Sequence, residues 1–264
     1  MLRVSHLTKI FFKGTANENV ALKNIDLNTA AGDFITIVGS NGAGKTTLLN
    51  LISGKYLLDE GKIEINGRNV SNLPEYKRAK FIGRVFQDPL QGTAASLTIE
   101  ENLAIASSRG KRKELRFAVD RRMRKEFKDK LRPLGLGLEN RLQERMGLLS
   151  GGQRQALTIL MATLIKPEVL LLDEHTASLD PKTAEKIISL TNKIVIQEKI
   201  TTLMVTHNME EALEFGNRTI MMHEGEIVLD VQGEEKEGMA VKDLLDKFSE
   251  VRKERLAEDK MLLV

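Results

Sequence analysis

The sequence contains no cysteine, which excludes a disulfide framework, thiol catalysis and any cysteine-ligated metal, and fits a cytoplasmic setting. Aromatic residues make up only 4% of the chain, too few for a platform on which bases stack. No segment approaches the roughly twenty consecutive apolar residues that cross a bilayer. Residues 1–6 lack an apolar core of signal-peptide length. If the protein serves a membrane process, another chain is expected to supply the membrane part. Charge of one sign is also scarce: 40 Lys and Arg against 37 Asp and Glu leave a net +3, so nothing global calls for nucleic acid.

What is present is an ordinary globular balance of 41% hydrophobic and 29% charged residues. The length of 264 residues suits one large domain, or one and a half ordinary ones, with a sizeable core. Residues 20–28 alternate in part, and 34–38 form a short β-branched run of buried-strand type, followed by a glycine-rich turn and helical character over 45–53. Residues 62–67 read as a strand running into a turn. From about 97 to 165 the pattern is mostly helical and includes a basic stretch, 109–132, which reads as a solvated helical face, a lipid-facing surface or, least, a nucleic-acid contact. Strand-helix alternation returns with strands at 169–172 and 201–206, helices at 181–197 and 209–215, and two strands around Glu224-Gly225. Such alternation predicts an α/β fold with a mostly parallel sheet covered on both faces. Residues 233–238 read as a polar turn, and Val241, Leu244, Leu245, Phe248 and Val251 as one face of a docked helix.

Three segments carry chemistry. Gly39-Ser40-Asn41-Gly42-Ala43-Gly44-Lys45-Thr46, with Thr47 next, follows a buried strand and opens a helix. Glycines there let backbone N–H groups turn inward on phosphates, helped by the positive end of the helix. Lys45 would reach the β/γ-phosphates and the Thr46 hydroxyl would ligate Mg²⁺. Second, the apolar run 169–172 ends in Asp173 and Glu174. A carboxylate at that strand end could hold Mg²⁺, and its neighbour could orient or deprotonate an attacking water. Third, Leu149-Ser150-Gly151-Gly152-Gln153 precedes a helix, with Ser150 as N-cap and two glycines exposing N–H groups. In isolation that third segment reads first as an ordinary capped helix.

The five-residue run 149–153 resembles the signature of the ABC ATPase family, and by average residue usage it arises by chance in well under about one chain in a thousand. The resemblance covers roughly residues 1–232 and takes in the phosphate loop, Gln87, 149–153, 170–174, Ser178-Leu179-Asp180 and His207 in order. It implies a P-loop NTPase core of RecA-like type, N-terminal antiparallel strands and a helical subdomain inserted at about 89–165. Residues 233–264 would be a C-terminal helical extension. It further implies two ATP molecules sandwiched in a head-to-tail dimer, in which Ser150, Gly151, Gly152 and Gln153 of one subunit close on the ATP of the other and Asp180 lines the seam. Gln87 would approach Mg²⁺ and the attacking water, His207 would contact the γ-phosphate, and Phe11 would stack on adenine, with Phe12 and a core role as alternatives. The family commonly has Pro after the catalytic Glu; His175 stands there, which reads first as tolerated variation and leaves open a pH dependence near neutrality.

The function implied is the ATP-hydrolysing subunit of a membrane transporter at the cytoplasmic face of the cell membrane. Separate permease chains would dock near Gln87 and residues 88–102. Import, with an extracytoplasmic substrate-binding protein, is expected over export. The runs 92–96, 147–161 and 173–183 resemble ATP-binding subunits of bacterial tryptophan/tyrosine uptake. A soluble ABC ATPase is the competing class: one acting on DNA would show a long coiled-coil insertion and one acting on ribosomes a doubled cassette, and the sequence has neither. One of iron–sulfur assembly or of signalling without transport stays open, to be separated by pull-down of the membrane fraction.

Overall fold

The computed structural model of the chain describes residues 1–110 and 119–250. Strands β1 (Leu2–Phe11) and β2 (Asn19–Asn28) pair antiparallel. They bury Leu2, Val4 and Leu7 of the first and Leu22, Ile25 and Leu27 of the second, while neighbours face water. This is the pattern of a sheet packed on one face. In β3 (Phe34–Gly39) all of residues 34–38 are buried, because both faces of its sheet are covered. The phosphate loop follows, then α1 (Lys45–Ser53). Strands β4 (Glu60–Ile65) and β5 (Arg68–Asn69) complete the smaller sheet in the order β2-β1-β4-β5.

The single turn α2 (Glu75–Arg78) ends in a fully buried arginine. Its guanidinium donates to the carbonyls of Leu51, Ile52, Ser71 and Leu73 at 2.7 to 2.9 Å. Carbonyls in the last turn of a helix have no partner within it, so Arg78 anchors the far end of α1.

After β6 (Ile82–Val85) come α3 (Ile99–Ser107), α4 (Arg121–Leu131) and α5 (Gly151–Thr163). They share a core of Ile99, Leu103, Phe127, Leu131 and Leu157. The expectation of mostly helix across this region is corrected between 132 and 150. There the chain runs in short 3-10 turns, since Pro133 opens one of them and Gly135 and Gly137 take φ of 66° and 70°. Of the basic stretch, Arg109 turns inward to the carbonyls of Ala162 and Ile165 at the end of α5. Arg124 forms a bidentate pair with Glu100 at 2.7 and 2.9 Å. Arg121 and Arg122 are exposed, and Lys111, Arg112, Lys113 and Arg116 lie outside the described residues.

The rest of the chain is β7 (Val169–Asp173), α6 (Pro181–Glu198), β8 (Thr201–Val205), α7 (Met209–Glu214), β9 (Arg218–His223) and β10 (Glu226–Gln232). The larger sheet has the order β10-β9-β3-β8-β7-β6, parallel throughout except where β10 meets β9. The carboxyl ends of β3, β6, β7 and β8 therefore share one edge, the place where open α/β sheets collect ligands.

The turn expected over 233–238 contains instead a one-turn helix, α8 (Glu234–Glu237). Its reason is tertiary: the Lys236 ammonium is buried against the carbonyls of Phe215 and Gly216, and burial pushes its pKa down to about 8. Residues 241–250 are helical, and Leu244 and Phe248 pack on Val38, Ala212 and Met221. Val251 lies outside the described residues. No described helix is long and apolar enough to cross a membrane.

Candidate active site

The phosphate loop needs its glycines for closeness as well as for backbone angle. A Cβ on Gly39 would lie 2.1 Å from the Met222 carbonyl oxygen, and one on Gly44 2.7 Å from that of Ala21. Gly44 opens α1 with φ of 98° and supplies no side-chain cap. In contrast α3, α4, α5, α6 and α7 start on Thr98, Asp120, Ser150, Asp180 and Asn208, each accepting a backbone N–H of its own first turn. The start of α1 thus keeps its N–H donors for a ligand.

A cleft of about 530 Å³ opens above this loop, lined by Phe11, residues 41–47 and Glu174 among others. Lys45 is buried and donates to the carbonyls of Gly39 at 2.7 Å and Ser40 at 2.9 Å. Burial pushes its pKa down, while the charges of Glu174 and Asp173 pull it back up. The Thr46 hydroxyl donates to Asp173 Oδ1 at 3.2 Å. Burial raises the Asp173 carboxyl, opposed by the Arg84 charge and the Thr46 bond.

Glu174, one residue past β7, stands in the left-handed region at φ 46°, a conformation that costs a non-glycine residue about 1–2 kcal/mol. Its N–H donates to Val205 at 3.1 Å, which continues the β7–β8 ladder by one rung. The carboxylate Oε1 reaches His207 Nε2 at 2.6 Å. Two neighbouring strand ends thus place a carboxylate and an imidazole in contact beside the phosphate loop.

Of the two adjacent phenylalanines, Phe11 lines the cleft and packs edge-on against Tyr56 at 5.4 Å between centroids. Phe12 adopts φ 54° and is 69% exposed. Gln87 stands exposed just beyond β6 and is not part of the cleft wall. Residues 150–153 lie apart from the cleft as well. Ser150 and Gln153 cap each other reciprocally, Oγ accepting at 3.3 Å and Oε1 at 3.2 Å, which leaves the N–H groups of Gly151 and Gly152 at the helix start. A Cβ on Gly152 would meet Thr183 at 2.4 Å, so this segment packs directly on the start of α6, which Asp180 caps.

Sequence reasoning did not single out Arg84, which reaches Asp173 Oδ2 at 3.5 Å. The available signal was a charge in an otherwise apolar strand. Asn19, Lys23 and Glu224 also line the cleft and carried no motif.

His175 packs inside against α6, 2% exposed, with Nε2 3.3 Å from Thr191 Oγ1. Burial pushes it from its ordinary 6.5 down to about 4, so it is uncharged at neutral pH and the near-neutral dependence open at this position moves into acid. The native value lies below the unfolded one, so the unfolded chain binds more protons as pH falls. Stability present above pH 6.5 is lost toward pH 4. Denaturant titrations across that window should show a loss of up to roughly 3 kcal/mol, and His175→Asn should flatten the slope.

A family model described as ABC transporter matches residues 22–177. The tyrosine transport ATP-binding protein of Clostridioides difficile is 46% identical over 248 residues, covering 94% of this chain and 98% of that protein. The methionine import ATP-binding protein MetN 2 of Enterococcus faecalis is 35% identical, covering 86% of this chain and 64% of its own length. Among solved structures, a dimeric ATP-binding cassette in a post-hydrolysis state, bound to ADP and Pi, superposes with a TM-score of 0.75 at 30% identity. It covers 88% of this chain and 98% of its own.

Proposed function

The chain belongs to the ABC transporter family, hydrolysing ATP to power transport, and from that premise we propose that it drives a bacterial importer of a small solute, an aromatic amino acid such as tyrosine. What carries the solute reading is the 46% identity, over nearly the whole of both chains, to a protein named for tyrosine transport. The working unit in this reading is a head-to-tail pair of the chain at the cytoplasmic face of the membrane. Permease chains dock near Gln87 and residues 88–102, and an extracytoplasmic protein delivers the solute. Residues 1–232 form the ATPase domain, with 89–165 as its helical insert, and 233–264 an extension.

In each cleft the N–H groups of residues 39–45 and the start of α1 hold the phosphates, Lys45 bridges β and γ, and Phe11 supports the adenine. Thr46 and Asp173 would hold Mg²⁺, with Gln87 approaching from the β6 side; two hard oxygens 3.2 Å apart suit that ion. When bound it neutralises phosphate charge. Glu174 takes a proton from the attacking water, and His207, 2.6 Å away, fixes the carboxylate and faces the γ-phosphate. The partner's copies of Ser150, Gly151, Gly152 and Gln153 close the other side, and Asp180 borders the seam.

Two measurements test this. Lys45→Ala should weaken ATP binding by about 1.5–3 kcal/mol, the worth of a hydrogen bond to a charged group; unchanged affinity by calorimetry would refute the role of Lys45. In cells lacking the endogenous subunit, the wild-type chain should restore uptake of labelled tyrosine and Lys45→Ala should not. Uptake indifferent to both overturns the solute reading.

A further inference from the structure

Arg84 occupies a position that packing alone does not explain. It lies in β6, an edge strand of the larger sheet otherwise made of apolar residues and glycine. Its side chain is only 9% exposed. The guanidinium is held from three sides: Nη1 donates to Ser53 Oγ at 2.9 Å, Nη2 to Asn50 Oδ1 at 2.7 Å, and the plane sits over the Phe86 ring at 4.6 Å. Nη2 also faces Asp173 Oδ2 at 3.5 Å. Nε is buried and finds no acceptor among the described residues. A buried, incompletely satisfied cation is destabilising compared with an apolar side chain of the same volume. The feature that sets the position apart is therefore the charge held at Asp173.

The two carboxylate oxygens of Asp173 are divided between two partners: Oδ2 faces Arg84 and Oδ1 accepts from Thr46. Asn50 and Ser53 belong to α1, whose start carries Lys45 and Thr46, so the same guanidinium is fixed to the phosphate-loop helix and to the strand leading into Gln87. We propose that Arg84 is the positioning residue of the metal carboxylate: it pins Asp173 through Oδ2, so that Oδ1 stays turned toward the Thr46 hydroxyl, where the cation of the ATP complex is received. This inference rests on the reading of Asp173 as the metal carboxylate given above.

The test compares Arg84→Met, which keeps length and volume, and Arg84→Lys, which keeps charge, with the wild type. ATP affinity is measured by calorimetry in EDTA and in Mg²⁺, Mn²⁺·ATP binding by electron paramagnetic resonance, and kcat and KM separately. Partners behind a metal ligand typically matter by about 10- to 100-fold. Arg84→Met should therefore bind ATP in EDTA like the wild type, lose about tenfold of the tightening conferred by the divalent ion, broaden the Mn²⁺ signal and lower kcat more than it raises KM. Lys should restore part of each. An equal loss with and without the metal would make Arg84 a pin of the fold, and a tighter metal would make its charge a mere opponent of the cation; either overturns the proposal. If Arg84→Met does not fold, the double variant Asn50→Ala/Ser53→Ala decides, because it removes both neutral acceptors that hold the guanidinium while leaving its charge; an unchanged metal effect there is equally fatal. If Asp173→Asn in the wild-type background leaves the metal effect intact, the metal reading of Asp173 fails, separately from the inference about Arg84.

Discussion

Replacing Glu174 by Gln should leave a protein that binds ATP and scarcely hydrolyses it. The two side chains have the same shape, so the left-handed backbone at φ 46° and the rung to Val205 are preserved. The amide can still meet His207 Nε2, which sits 2.6 Å from the carboxylate oxygen. What it cannot do is take a proton from water, and loss of a positioned general base typically lowers the rate by roughly a hundredfold to ten-thousandfold. The cleft that holds the phosphates is otherwise unchanged, so ATP should persist on the protein and hold two copies together. Phosphate release and size-exclusion chromatography with ATP report the two effects. Turnover within a few-fold of wild type would remove Glu174 from the chemistry.

Ser150→Arg should abolish hydrolysis by another route, with ATP binding to the single chain intact. Ser150 is exposed at the start of α5, and no residue of 150–153 lines the chain's own cleft. A long side chain there obstructs only what approaches from outside, which the head-to-tail reading makes the partner's ATP. Mixing separates the possibilities. In a dimer of one Glu174→Gln and one Ser150→Arg chain, one site joins an intact Glu174 to an intact signature and the other lacks both. Random pairing makes half of the dimers mixed, so activity should return to roughly a quarter of wild type at most, against near zero for either variant alone. No recovery, with mixed dimers demonstrably formed, would mean either strict coupling of the two sites or sites built within one chain.

The parts legible beforehand were those whose chemistry is local. Phosphate binding needs glycines, a strand before and a helix after, and residues 34–53 contain all of these contiguously. Asp173 and Glu174 were readable because a buried strand announces its own end. Arg84 was not, since its meaning depends on β6 lying beside β7 and within reach of α1, which are pairings distant in sequence. The helix α8 was hidden for the same reason: its residues are polar and turn-like, and what organises them is Lys236 reaching back to the end of α7. Which of Phe11 and Phe12 lines the cleft was not readable from simple alternation, because the register of β1 against β2 shifts between Lys9 and Ile10.

The pairing of β3 has a consequence for how the molecule is made. Its residues lie against 202–205 on one side and 218–222 on the other. The strand that carries the phosphate loop thus has both of its neighbours only roughly 180 residues after it is itself translated. At ribosomal speeds of about 5–20 residues per second the wait is roughly 10–40 s. Until residues 202–205 emerge, an apolar strand buried on both faces in the finished protein has no ladder to join, and such an unpaired strand is prone to aggregate.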